Sequence, residues 1–208
     1  AAFHGREAAM VFSSAYAAVV STITPLVTPD TVLISDELNH NCIINAMRLS
    51  RPVGKAIYPH NDVAGLEKAL EEWKGKAARA IVVTDGIFSM RGDHAPVNEI
   101  MDACIEHDAD YPENVVCMVD DSHGVGSFGR TGRGTEEFTN SQPADILIGT
   151  LGKAFGVNGG YVATNHSTVR FLRESSQMYI YSNPITVGEA AAALRSLEIV
   201  DSPQGLAR

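Results

Sequence analysis

The chain has few cysteines, a single tryptophan, no excess of basic residues and no long apolar run. Its three cysteines, Cys42, Cys104 and Cys117, are odd in number and far apart, with no C-x-x-C pair. That argues against a disulfide framework or a structural zinc site. No metal is expected, and the thiols read as core packing in a protein of the reducing cytoplasm. Lys and Arg number 16 against 25 Asp and Glu, for a net charge of −9 with no basic cluster, so no nucleic-acid partner is expected. No stretch approaches the roughly 20 apolar residues of a membrane span. The first residues also lack the charged and apolar regions of a signal peptide.

What remains is an ordinary globular composition, 45% hydrophobic and 20% charged over 208 residues, long enough to bury a substantial core. Strand candidates are Thr31–Ser35, Ala56–Tyr58, Ala80–Thr84, Val115–Val119, Asp145–Ile148 and Tyr161–Ala163. Helical spacing appears over Ala15–Leu26, after His40, over Val63–Lys74 with Asn61-Asp62 as its cap, over Val97–His107 and over Val187–Val200. Asp36 is a candidate cap for the helix after His40. The near-continuous apolar runs suit strands buried on both faces. Strands alternating with helices predict one α/β domain with a largely parallel sheet, whose chemistry collects at the carboxyl ends of the strands.

Those ends carry the polar signals. Gly149-Thr150-Leu151-Gly152-Lys153-Ala154-Phe155-Gly156 sets one lysine among glycines after an apolar strand. Two readings stand for it: a nucleophilic Schiff-base lysine, or a surface lysine in a flexible loop. Asp120-Asp121-Ser122-His123 follows another strand directly. A carboxylate there needs a cationic partner, which a protonated pyridine nitrogen would supply; alternatively, either Asp merely closes a turn. Gly124-x-Gly126-x-x-Gly129 matches a dinucleotide fingerprint, but its glycine-rich continuation cannot form the helix that a pyrophosphate requires. Ser13-Ser14-Ala15-Tyr16 begins a helix, either as a phosphate cradle or as a plain cap. His40 offers a ring for stacking or is a structural or surface histidine; Ser89 offers a hydroxyl after a strand or is incidental, and Asp85 reads as a helix or turn cap. Together these are the parts of a pyridoxal phosphate (PLP) site.

The same residues carry a resemblance. Phe3-His-Gly-Arg-Glu-Ala8, Ser35-Asp-Glu-Leu-Asn-His40, Thr84-Asp-Gly-Ile-Phe-Ser-Met90, Met118-Val-Asp-Asp-Ser-His-Gly124 and the Lys153 stretch run in the order seen in the α-oxoamine synthases. These are PLP enzymes of fold type I, and they include glycine C-acetyltransferase, 8-amino-7-oxononanoate synthase, 5-aminolevulinate synthase and serine palmitoyltransferase. The resemblance implies that Lys153 is the Schiff-base lysine and the mover of the α-proton. It makes Asp120 the partner of the ring nitrogen, and places His123 and Ser89 at the phenolic oxygen. His40 would stack on the ring, while Ser14, Ala15, Tyr16 and Thr150 would hold the phosphate. Ser182 is similar to a segment that serves the neighbouring subunit's site, which implies a homodimer with shared sites.

Against the family pattern, Ala15 and Val19 stand where glycine and asparagine are common. Family chains are also longer, so residues 1–208 are expected to be the PLP-binding large domain, without an N-terminal arm or C-terminal small domain. The implied substrates are an amino acid and an acyl-CoA. Glycine with acetyl-CoA is the first choice, and the oxononanoate synthase type, which uses alanine and a pimeloyl donor, is the runner-up. An aminotransferase or lyase on the same fold and a non-catalytic dimerisation domain are the alternative classes.

Overall fold

The computed structural model describes residues 1–206; the last two residues of the expected domain lie outside the described residues. In chain order the elements are β1 (Ala8–Phe12), α1 (Ala15–Leu26), β2 (Thr31–Asp36), α2 (Asn41–Leu49), β3 (Gly54–Tyr58) and α3 (Val63–Trp73). Then come β4 (Arg79–Asp85), β5 (Ile87–Phe88), β6 (Asp93–His94), α4 (Val97–Glu106) and β7 (Val115–Asp120). The last elements are α5 (Thr135–Phe138), β8 (Ile146–Thr150), β9 (Gly160–Thr164), α6 (His166–Ser175), α7 (Gln177–Ile180), α8 (Val187–Val200) and α9 (Pro203–Leu206). No helix among the described residues is long and apolar enough to cross a membrane.

Seven strands form one sheet in the order β1-β9-β8-β7-β4-β2-β3, and β5 pairs with β6 in a small separate ribbon. Pairing is parallel from β3 through β2, β4 and β7 to β8, and antiparallel at β8–β9 and β9–β1. Only β9 therefore runs against the rest. Its direction follows from the short connection after β8, because a parallel neighbour would need a longer crossover. Strands β2 and β8 are buried throughout, whereas the edge strand β3 alternates between exposed and half-buried residues until Tyr58.

Each central strand feeds both faces of the sheet, as the period of two requires. Val32, Ile34 and Val82 join a core with Leu66 and Leu70 of α3 and Ile100 of α4. Leu33, Ile81 and Val83 join a second core with Val19 and Ile23 of α1, Ile43 of α2 and Leu172 of α6. Two expected caps are placed differently. The cap of α2 is His40, whose Nδ1 accepts from Cys42 N, because Asp36 Oδ1 is used in an earlier turn as acceptor for Leu38 N. Asp62 occupies the N-cap of α3, but its side chain makes no capping hydrogen bond.

Candidate active site

The six strands that share one direction end along a common edge, and the polar motifs collect there. Phe12 pairs with Gly160, which pairs in turn with Thr150, so the start of α1 lies beside the loop that carries Lys153. Asp85 and Asp120 are register partners at the ends of β4 and β7. A shallow cleft enclosing about 50 Å³ is lined by Ala15, Tyr16, His40, Ser89, Asp120, His123 and Lys153, together with Cys42, Asp85 and Ser122. Of the expected site residues, Ser14, Thr150 and Ser182 are not in this lining. Ser14 Oγ caps α1 by accepting from Ala17 N at 3.1 Å. The Thr150 hydroxyl is buried under the Lys153 loop, donating to Gly159 O and accepting from Gly152 N. Ser182 is exposed.

Lys153 sits in the loop between β8 and β9, which closes on itself through Gly156 N to Lys153 O, Val157 N to Leu151 O and Leu151 N to Gly159 O. Gly156 takes φ +66, a conformation that glycine adopts without strain. Among the described residues, Lys153 makes no ion pair within 4.0 Å. The side chains of Ser89 and His123 likewise form no hydrogen bond within the described chain. Burial, then the charge of Lys153, lowers the His123 pKa, so its ring faces the cleft uncharged at neutral pH.

The two adjacent aspartates separate cleanly. Asp120 reaches the cleft. Its Oδ1 accepts from Ser122 Oγ at 2.5 Å and Ser122 N at 3.1 Å, while Oδ2 has only the Cys42 thiol at 3.7 Å. Asp121 points the other way, accepts from Thr135 N at 2.7 Å and lies among Gly86, Gly124 and Gly134, where any Cβ would strike its carboxyl. Burial pushes its pKa up to about 7.

Asp85 and Cys42 are the site residues that sequence reasoning placed elsewhere, as a turn residue and a core thiol. Asp85 Oδ2 accepts from His40 N at 2.7 Å, and Asn39 Oδ1 accepts from Asp85 N at 2.8 Å. Burial first, and the neighbouring Asp120 second, raise Asp85 to about 8. The Asp85 carboxyl is thus held largely protonated beside Asp120. The Cys42 thiol, raised by burial and then by these two carboxylates, stays protonated 2.9 Å from His40 Nδ1. Because Nδ1 also accepts from Cys42 N, the arrangement selects the Nε2–H tautomer and fixes the exposed ring's orientation.

The donor set fits PLP. Asp120 Oδ2, in a pair of carboxyls short of positive charge, suits a pyridinium N–H. Lys153 supplies an amine, His40 a ring face, and His123 and Ser89 unpaired polar groups. Ala15 N and Tyr16 N, at the open end of α1, have no acceptor within the described chain and suit a phosphate. Gly160 lets α1 approach this closely, since a Cβ on it would meet the backbone of Ser14 and Ala15.

A family model for aminotransferase class I and II matches residues 1–204. The chain belongs to the aminotransferase class I and II family. It is 42% identical over all 208 residues to the 8-amino-7-oxononanoate synthase of Geobacter sulfurreducens, covering 51% of that protein. The enzyme of the same name from Fervidobacterium nodosum is 40% identical over 205 residues, 50% of its length. The structure of Sphingomonas wittichii serine palmitoyltransferase superposes with a TM-score of 0.87 at 30% identity, covering 96% of this chain and 48% of that one. The chain therefore spans about half the length of the curated relatives it matches. The fold is that of the PLP-dependent transferases of fold type I, its relatives are α-oxoamine synthases, and PLP is the cofactor to which the site corresponds.

Proposed function

We propose that this chain is the large, cofactor-binding domain of an α-oxoamine synthase that condenses an amino acid with an acyl thioester and releases CoA. One observation carries the reading: Lys153, His123 and Ser89, all without internal partners, converge on a cleft floored by the Asp120–Asp85 pair. The names of the relatives favour the runner-up pair of substrates, alanine and a pimeloyl thioester, over glycine and acetyl-CoA.

When bound, PLP supplies an aldehyde for the amino group and a ring that takes up the electron pair of a deprotonated α-carbon. The chain's own residues do the rest. Asp120 Oδ2 holds a proton at the ring nitrogen, and Ser122 keeps that carboxylate oriented through Oδ1. His40 lays its ring against the cofactor, anchored by Asp85 through the backbone N–H. His123 and Ser89 hydrogen-bond the phenolic edge, and the free N–H groups of Ala15 and Tyr16 hold the phosphate. The Lys153 amine would hold the cofactor's aldehyde and is the base that would move the proton at the α-carbon. Ser182 serves the site of a second copy, which makes the assembly a homodimer.

The test uses the full-length protein and measures CoA release with alanine plus pimeloyl-CoA against glycine plus acetyl-CoA. A preference of at least about tenfold in kcat/KM for the first pair supports the oxononanoate type. A preference for the second restores the acetyltransferase type. Lys153→Ala should remove the covalent cofactor band; an unchanged band would defeat the assignment of the lysine.

A further inference from the structure

A second cluster of titratable groups lies behind the cleft. His60, in the segment that follows β3, has Nδ1 3.1 Å from Asp36 Oδ1 and Nε2 3.1 Å from Asp93 Oδ2. A neutral imidazole carries one N–H, so one ring nitrogen would aim its lone pair at a carboxylate. Two carboxylates at hydrogen-bond distance require both nitrogens to be protonated. The side chain is 10% exposed, and its ring meets Phe88 edge-on at 4.3 Å.

Each carboxylate leads to one wall of the cleft. Asp36 ends β2 and shapes the turn into Asn39 and His40; Asn39 in turn bonds Val83 O and Asp85 N. Asp93 pairs across the β5–β6 ribbon with Phe88, the residue before Ser89. A second strap runs alongside, with Asn61 N donating to Asp36 Oδ2 and Asn61 Nδ2 donating to His94 O.

We propose that His60 is a positioning residue: as an imidazolium between Asp36 and Asp93, it ties the Ser89 ribbon to the strand end that carries His40 and sets the spacing of the two cleft walls. Its bearing on the cofactor rests on the reading of the cleft given above. The other charged groups in reach are Glu37, whose carboxylate accepts from His60 N, and Arg91, whose Nε lies 3.3 Å from the same Asp93 Oδ2. Burial works to lower the His60 pKa, but the hydrogen bonds and charges of Asp36 and Asp93 outweigh it, and the net shift is upward from 6.5. The folded chain thus holds the proton more tightly than the unfolded one. The tie is complete below about pH 6.5 and is lost as the pH rises through the higher folded value.

The experiment follows His60 by NMR titration in the full-length protein. In parallel it follows hydrogen exchange at Gly92 N and Ala95 N, which close the ribbon on Phe88 O and Gly86 O. His60 should titrate above 6.5, and the protection factors should fall by roughly tenfold through that titration, the effect of losing one charge-assisted hydrogen bond. His60→Gln should abolish the pH dependence and weaken PLP binding by roughly tenfold. If that variant does not fold, Asp93→Asn, at a partly exposed position, should lower both the His60 pKa and the ribbon's protection. A His60 titrating at or below 6.5, or ribbon exchange indifferent to its titration, overturns the proposal. Added PLP should slow exchange at residues 85–89 and 120–123. If it does not while the His60 signals behave as expected, the tie stands and the cofactor reading falls.

Discussion

Replacing Gly160 with alanine tests whether the close seat of α1 is what builds the phosphate end of the cleft. The new Cβ would meet Ser14 C, Ala15 N and Ala15 Cα, all backbone atoms and all inside the 3.0 Å limit that real Cβ atoms keep. Gly160 cannot retreat, because it is paired with Phe12 on one side and Thr150 on the other. The first turn of α1 must move instead, straining the Ser14 cap on Ala17 N. Overpacking costs about 1–3 kcal/mol, and a weakened N-cap about 1 more. For a chain of this size the sum lowers Tm by about 4–16 °C. PLP affinity should fall at least about tenfold, because the N–H groups of Ala15 and Tyr16 are displaced together. Circular-dichroism melting and a spectroscopic PLP titration measure the two effects. Gly188→Ala, in open space in the first turn of α8, is the control and should melt within about 1 °C of the parent or above it. A Gly160→Ala protein with unchanged Tm and unchanged PLP affinity would refute the tight seat.

Asp120→Asn should cut condensation by at least about 100-fold, because an amide does not hold the ring proton. The same change should lower the Asp85 pKa from about 8, read by ¹³C NMR, since the second cause of that rise is removed. The folded value of Asp121, about 7, lies above its ordinary 3.8, so the folded chain binds more protons and stability falls as pH rises between those values. Asp121→Asn should flatten that part of the Tm-against-pH curve; a slope identical to the parent's would show that another group sets it. Glu136→Ala leaves Arg6, which it holds at 2.6 Å, largely buried without its carboxylate and should cost about 3–5 kcal/mol by denaturant unfolding. Pairing it with Arg6→Met should recover part of the loss.

Much of this molecule is written locally. The apolar runs of β2, β4, β7 and β8 announce themselves because a strand buried on both faces admits few polar residues, and the chemistry-bearing residues follow those runs immediately. The alternation of elements places their carboxyl ends together, so Lys153, the Asp120-Asp121 pair, His123, His40 and Ser89 could be singled out before any coordinates. The choice between Asp120 and Asp121 as the cleft residue could not be made from spacing and composition, because it depends on which face of the sheet each side chain meets beyond the end of β7. Asp85 is raised by Asp120 only because the β4–β7 register sets them side by side, and register is a long-range property. Cys42 looks like core from its neighbours and becomes a wall of the cleft only when the fold brings its thiol to Asp120, 78 residues away. His60 shows the limit most plainly. Its two partners lie 24 and 33 residues away, on strands brought together by the fold, and nothing near it in the chain marks it as charged.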